Sequence, residues 1–208
     1  MVSKDYKLIF LMPPKTASNS LRESLISSQI KFDSFDPNYH KPNTHLYLSE
    51  LVENFKIDNI DEYKIVQIYR NPYEKFKSAF YHLTSLIDGC LIKPNLGLNE
   101  FVIQYRDCIL SDDYVKCMYK DPEFVYDSIR KKINFGFTRY FVEQYKWNDL
   151  NKKVHYLDIS KIDTLSEVIG YELPKIWRLN KFRGQKEELN ENSIQIISEL
   201  YDKDFNLI

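Results

Sequence analysis

The sequence predicts an α/β fold in which a central parallel sheet is flanked by helices. Three runs rich in aliphatic and aromatic residues, at 6–12, 63–69 and 153–159, have the length and composition of buried strands. Segments with helical spacing of apolar residues separate these runs along the chain. This alternation is typical of a parallel sheet, because each parallel connection must cross back over the sheet.

The first elements follow directly from this pattern. The run "YKLIFLM" (6–12) predicts a strand, and Leu21 and Leu25 mark the inner side of a helix from about 18 to 29. "IKFDSFD" (30–36) is interpreted as a second strand. Helical spacing then returns after a polar loop, in Leu48, Leu51, Val52 and Phe55.

The next strand leads into a helix almost without a loop. "YKIVQIY" (63–69) is strongly β-branched and predicts a third strand. Asn71 can cap a helix and Pro72 suits its first position, so we expect a helix to begin there.

The remaining chain adds helices, a strand and an irregular segment. Helical periodicity is found near 113–131 and 139–148, before the strand "KVHYLDI" (153–159), and again near 189–205. Glycine, proline and mixed polarity in 87–112 predict a lid or insertion. No repeat or linker divides the sequence, so all 208 residues are predicted to form a single domain.

Composition argues against several classes of protein. A formal net charge of -1 is unlike that of a dedicated nucleic-acid or anionic-membrane binder, which carries a large basic excess. Cys90, Cys108 and Cys117 are odd in number and form no CxxC pair, so we expect reduced thiols and no zinc or other metal site. The apolar run near residue 10 is too short for a secretory signal or a membrane span. We therefore predict a soluble, cytoplasmic protein with no nucleic-acid or membrane partner.

The junction after the first predicted strand is unusually polar. "PPKTASNSL" (13–21) combines the ammonium of Lys15 with several hydroxyl and amide side chains. Ligands bind at the carboxyl ends of parallel strands, where helix N-termini present N–H groups, so Lys15 and the amides of 16–20 can bind an anion. The alternative interpretation is an ordinary capping box formed by Ser20 and Glu23.

A second polar junction follows the third predicted strand. "YRNPYEKFKSAFYH" (69–82) places Arg70 at the strand end and Ser78 about two turns into the next helix. Arginine offers a planar fork to a phosphate, and serine offers a hydroxyl. A Walker-type phosphate loop is excluded, because the sequence has no glycine between residues 1 and 88.

Together, the two junctions resemble those of PAPS-dependent sulfotransferases. "PPKTASNSL" is similar to the family's 5′-phosphosulfate loop, roughly P-K-[TS]-G-[TS]-[TS]-[ST]-L, and Arg70 with Ser78 resembles its 3′-phosphate site. The likeness covers roughly 7–83 and 189–206 and is strongest to the carbohydrate or polysaccharide branch. It implies a P-loop-NTPase-like three-layer fold, with PAPS (3′-phosphoadenosine 5′-phosphosulfate) as cofactor and 3′-phosphoadenosine 5′-phosphate as product.

The resemblance also implies which residues bind the cofactor. These are Lys15, Thr16, Ala17, Ser18, Asn19, Ser20, Arg70 and Ser78 and, through a similar basic loop in "NKFRGQK", Arg183 and Gly184. Ala17 and Asn19 depart from the family pattern, which often has glycine and a hydroxyl residue there. Because alanine does not readily adopt positive φ, we expect this loop to turn with ordinary backbone angles.

The implied reaction is in-line sulfuryl transfer from PAPS to an acceptor hydroxyl. Lys15 is placed to stabilise charge on the leaving oxygen, and a general base must take the acceptor proton. His45 is the first candidate, because "NTHLYLSELVENF" looks like a histidine-led segment of several carbohydrate sulfotransferases and a helix start there would favour the neutral imidazole. His40 and Glu50 are the alternatives.

Several functions stay open at this point. A carbohydrate or polysaccharide acceptor is favoured, and a small-molecule acceptor is the alternative. A small-molecule kinase with a degenerate phosphate loop would need magnesium and a carboxylate at a later strand end, where Asp158 is the candidate. The non-enzyme alternative is a nucleotide-binding remnant that has lost turnover.

Overall fold

The computed structural model describes five stretches of the chain: residues 1–33, 45–84, 96–111, 140–176 and 187–208. They form a mixed α/β structure with a four-stranded sheet flanked by helices. No described helix is both long enough and apolar enough to cross a membrane.

The chain, predicted to be a single domain, divides into two compact units. The first comprises Met1–Arg70, Glu143–Lys181 and Asn206–Ile208. The second comprises Asn71–Val142 and Phe182–Phe205.

The sheet belongs to the first unit and is mixed rather than wholly parallel. Its strands, in spatial order, are β1 (Val2–Ser3), β2 (Leu8–Leu11), β3 (Lys64–Tyr69) and β4 (Val154–Asp158). The pairs β2–β3 and β3–β4 are parallel, which confirms the three strands predicted near 6–12, 63–69 and 153–159. The strand β1 is antiparallel to β2, and two residues are too few to give a recognisable sequence pattern.

The strand predicted over 30–36 is wrong for its described part, 30–33, which is irregular. The segment runs beside β1, where Asp33 N donates to Val2 O (2.8 Å) and Ser3 Oγ donates to Lys31 O (2.5 Å). Its apolar residues are buried, as in a strand, but β1 is too short to extend a ladder along it.

Six helices are described. They are α1 (Ser18–Ile26), α2 (Leu48–Asn54), α3 (Pro72–Thr84), α4 (Leu98–Ser111), α5 (Leu165–Ile169) and α6 (Glu191–Leu200). Short 3-10 turns lie at Ile60–Glu62, Gln144–Trp147, Ile159–Thr164 and Asp202–Asn206.

In the first unit, the helices cover both faces of the sheet. Alternate residues of β2 point to opposite sides, so Phe10 packs with Leu21 of α1 and Leu165 of α5. Ile9 packs on the other side with Leu48 of α2. This unit therefore has helix, sheet and helix layers, and β2 is buried throughout.

The second unit is helical. Helices α3, α4 and α6 surround an aromatic core. The ring of Phe76 on α3 lies 4.8 Å from that of Phe141 and 5.8 Å from that of Phe101 on α4. The described part of the segment predicted as a lid, 87–112, is thus largely the packed helix α4. Residues 85–95 lie outside the described chain.

One cysteine departs from the expectation of reduced thiols. Cys108 is buried in the core of the second unit and is disulfide-bonded. The other two cysteines, Cys90 and Cys117, lie outside the described residues.

The remaining helix predictions have different outcomes. The helix expected near 189–205 is confirmed as α6 and the 3-10 turn that follows it. The helix expected over 139–148 is wrong beyond residue 141. The chain there forms a 3-10 turn in which Gln144 and Trp147 are fully buried. The helix expected near 113–131 lies outside the described residues.

The start of α1 contradicts two expectations. Ala17 is the N-cap and lies in the left-handed region, at φ 62° and ψ 21°, so this loop does not turn with ordinary angles. Helix α1 begins at Ser18, which places Ser20 inside the first turn and rules it out as the capping residue of a box with Glu23. The methyl side chain of Ala17 makes no capping hydrogen bond.

We expect Ala17→Gly to raise the free energy of unfolding by about 0.5 to 1 kcal/mol, because glycine adopts left-handed angles without the Cβ clash. Urea denaturation measures this change. The matched control is Ala79→Gly in the interior of α3, where alanine is buried and right-handed geometry is required. That control should lower the free energy of unfolding by about 1 to 2 kcal/mol. A lower free energy of unfolding in Ala17→Gly would contradict backbone strain at Ala17.

Candidate functional site

The candidate site lies at the carboxyl ends of β2 and β3. The two strands are parallel neighbours, and Leu11 at the end of β2 is paired with Gln67 of β3. Both strands end at the same edge of the sheet. The loop after β2 and the residue after β3, Arg70, therefore come together there. This edge belongs wholly to the first unit.

The loop between β2 and α1 is tightly turned. Lys15 and Ala17 both have positive φ, 67° and 62°, although neither is glycine. Between them, Thr16 is buried and its Oγ1 donates to Pro13 O at 2.7 Å. Two left-handed residues within three positions cost on the order of 1 kcal/mol each, and such strain is concentrated at functional sites.

The loop also presents the first turn of α1. The amides at the beginning of an α-helix have no acceptor within the helix and carry the positive end of its dipole. Ser18 and Ser20 are buried there, whereas Asn19 is exposed. The predicted anion-binding groups therefore do lie at a helix start, but the hydroxyl of Thr16 donates within the turn itself.

Arg70 contacts this loop directly. Its guanidinium Nη1 donates to Lys15 O at 3.0 Å, which uses one of the five N–H groups of the fork. Burial of the Lys15 ammonium and the nearby charge of Arg70 lower the pKa of Lys15 to about 8. The two cations therefore repel each other, and an anion bound beside them would relieve that repulsion.

Gln144 holds the main chain of Arg70. Its Oε1 accepts from Arg70 N at 2.9 Å, and its Nε2 donates to Arg70 O at 2.7 Å. The Gln144 side chain is fully buried. Sequence reasoning missed this residue, because it lies far along the chain in a segment whose periodicity indicated a helix.

His45 lies at the end of β2. Its Nδ1 is 2.7 Å from Met12 O, one residue beyond the strand. A carbonyl can only accept, so Nδ1 carries the hydrogen and the neutral ring has its basic lone pair on Nε2. Helix α2 begins at Leu48, so His45 precedes the helix rather than starting it. The tautomer of His45 is therefore set by the Met12 carbonyl and not by the helix dipole.

The carboxylate alternative to His45 has a structural role. Glu50 Oε2 accepts from Tyr47 N at 2.7 Å, which caps α2. Asp149 supports the same helix end by accepting from Ser49 N at 2.9 Å. The other alternative, His40, lies outside the described residues.

The remaining predicted residues lie in the second unit or outside the described chain, so their part in the site stays a prediction. Ser78 is half-buried on α3 in the second unit, and the Asn71 side chain caps that helix by accepting from Tyr73 N at 3.0 Å. Arg183 and Gly184 lie outside the described residues.

Asp158 ends β4 and caps the turn that follows it. Its Oδ1 accepts from Ser160 N at 2.7 Å. Within the five described stretches, no group of three His, Cys, Asp or Glu residues is arranged to hold a metal ion. The carboxylate named for a kinase is thus part of a local capping arrangement.

Comparison of the chain with protein-family models, curated proteins and solved structures gave no match. Four features that meet at the edge of the sheet point to a function. These are a strained loop with a helix start, two neighbouring cations, a buried amide that holds one of them, and a histidine of defined tautomer.

Proposed function

We propose that this protein is a PAPS-dependent sulfotransferase that transfers the sulfuryl group to a hydroxyl of a carbohydrate or polysaccharide. The observation that carries the proposal is the hydrogen bond from Arg70 Nη1 to Lys15 O, at 3.0 Å. It joins the two motifs that resemble the family's 5′- and 3′-phosphate sites. We further propose that the helix, sheet and helix layers of the first unit are the P-loop-NTPase-like fold of that family.

The donor set suits a bisphosphate. Lys15 and Arg70 supply two positive charges, and the first-turn amides of α1 supply N–H donors for phosphate oxygens. When bound, PAPS supplies a sulfuryl group whose bond to the 5′-phosphate oxygen breaks as the acceptor oxygen attacks sulfur from the opposite side. The Lys15 ammonium stabilises the negative charge that develops on that leaving oxygen.

The proton of the acceptor hydroxyl goes to His45 in this scheme. Met12 O holds the proton on Nδ1, so Nε2 is the atom that accepts. The carboxylate of Glu50 accepts from the main chain at the start of α2, which favours His45 over Glu50 as base. The kinase alternative has less support, because Asp158 caps a local turn.

We expect 3′-phosphoadenosine 5′-phosphate to bind the purified protein and Arg70→Ala to weaken that binding at least tenfold, about 1.4 kcal/mol. Isothermal titration calorimetry measures both affinities. Arg106→Ala is the matched control, since Arg106 is a helix-surface arginine paired with Asp107 in the second unit, and it should bind like the wild type.

Three results would contradict this proposal. Preference for ATP with magnesium over the bisphosphate would favour the kinase. No nucleotide binding at all, or equal affinities for wild type and Arg70→Ala, would contradict the phosphate-binding role of this edge.

The affinity for the bisphosphate should fall as pH rises above about 8. The pKa of Lys15 in the free protein is about 8, so the ammonium that attracts the anion is lost above that pH. We expect a decrease of roughly tenfold per pH unit between pH 8 and pH 10, because the ligand phosphates are fully ionised throughout. Lys15→Arg, which stays charged, should abolish this decrease, whereas the same pH profile in that variant would assign the titration to another group.

We expect His45→Asn to lower transfer of labelled sulfate from PAPS to a panel of polysaccharides by roughly 10²- to 10⁴-fold. The asparagine amide can still donate to Met12 O, so the affinity for 3′-phosphoadenosine 5′-phosphate should stay within about twofold of the wild type. Glu50→Gln is the control. It should keep turnover and destabilise α2 only by the loss of charge at the helix start, about 0.3 to 1 kcal/mol, because the glutamine amide oxygen still accepts from Tyr47 N. Loss of transfer in Glu50→Gln alone would make the carboxylate the base.

A further inference from the structure

Arg70 lies just beyond the hydrogen-bonded ladder of the sheet. The pairing of β3 with β4 ends at Tyr69, opposite Asp158, and the pairing with β2 ends earlier, at Gln67. Beyond the last ladder pair, main-chain N–H and C=O groups need other hydrogen-bond partners, because a buried main-chain group without one costs free energy.

The Gln144 side chain takes the place of the missing strand neighbour. Its carboxamide accepts from Arg70 N (2.9 Å) and donates to Arg70 O (2.7 Å), the two bonds that one residue of an antiparallel strand would exchange with it. The ordered main chain of β3 is thereby extended by one residue, to the residue whose side chain reaches the loop after β2.

Gln144 is itself fixed. Its main-chain carbonyl accepts from Gln67 Nε2 at 2.9 Å, and both glutamine side chains are fully buried. The bonds run from Gln67 to Gln144, from Gln144 to Arg70, and from Arg70 to Lys15 O. Of these bonds, only the two from the Gln144 side chain hold the Arg70 main chain, and losing a hydrogen bond at a buried amide such as Gln144 is costly.

We propose that Gln144 is a positioning residue that holds the Arg70 guanidinium against the Lys15 loop and so sets the arrangement of the two cations for a bisphosphate. The identity of the ligand in this inference rests on the proposed function, whereas the contacts between Gln144 and Arg70 do not depend on it. A neutral amide is required, since Arg70 offers both a donor and an acceptor. Glutamate could accept from the N–H but would place a buried carboxylate oxygen against the Arg70 carbonyl.

The test compares two buried glutamines. Gln144→Met keeps the length of the side chain and removes both bonds to Arg70. Gln67→Met is the matched control, because Gln67 is equally buried and binds the main chain of residue 144, but it does not touch the Arg70 backbone. Circular dichroism checks that both variants fold, and Gln144→Asn, one methylene shorter, replaces Gln144→Met if that variant does not.

The first measurement needs no ligand and follows the pKa of Lys15 by NMR. Burial and, after it, the charge of Arg70 lower that pKa in the wild type, so release of the guanidinium should raise the pKa of Lys15 in Gln144→Met. The pKa in Gln67→Met should equal that of the wild type. An unchanged pKa in Gln144→Met, or an equal rise in both variants, would overturn the inference.

The second measurement uses 3′-phosphoadenosine 5′-phosphate as ligand in calorimetry. Gln144→Met should bind at least tenfold more weakly than the wild type, while Gln144→Met/Arg70→Ala should bind no more weakly than Arg70→Ala alone. A purely structural defect would weaken binding in both backgrounds, and that outcome would contradict a role through Arg70. If the wild type binds no bisphosphate but the Lys15 pKa shifts as expected, the proposed function fails and Gln144 still positions Arg70.

Discussion

The arrangement at the edge of the sheet depends on the hydrogen bond between the Arg70 guanidinium and the main-chain carbonyl of Lys15. Parallel pairing of β2 with β3 brings the two strand ends together, and this bond joins the side chain of one end to the backbone of the other. It connects to the strained turn at Lys15 and Ala17, where α1 begins. The bond therefore links sheet register, loop conformation and helix orientation at one place.

The same arrangement carries an electrostatic cost. Lys15 is largely withdrawn from water beside a second cation, which lowers its pKa to about 8. A protein selected for stability alone would place a carboxylate or a neutral residue there, and it would use glycine at the left-handed position of Ala17. Strain and repulsion at one site are expected where a protein trades stability for the binding of an anion.

The sequence predicted the parts of the structure that follow from local pattern. A run of apolar residues such as "YKLIFLM" is enough to predict a buried strand. Asn71 and Pro72 predicted the start of α3 correctly. Lys15 and Arg70 were expected near one edge because parallel strands end together, and a hydrogen bond joins the two residues there. His45 was named from the family resemblance, and it contacts Met12 O at the end of β2. The positive φ of Ala17 was missed because residue preference argued against it. Gln144 was missed because its role depends on a contact 74 residues distant in sequence.

A crystal structure of the protein with 3′-phosphoadenosine 5′-phosphate tests this site most directly. The 5′-phosphate should lie within hydrogen-bonding distance of the Lys15 ammonium and of amides at the start of α1, and the 3′-phosphate should lie on the Arg70 fork. Gln144 should keep both bonds to Arg70 in the complex. A nucleotide bound at another surface, with Lys15 and Arg70 unchanged, would contradict the bisphosphate site.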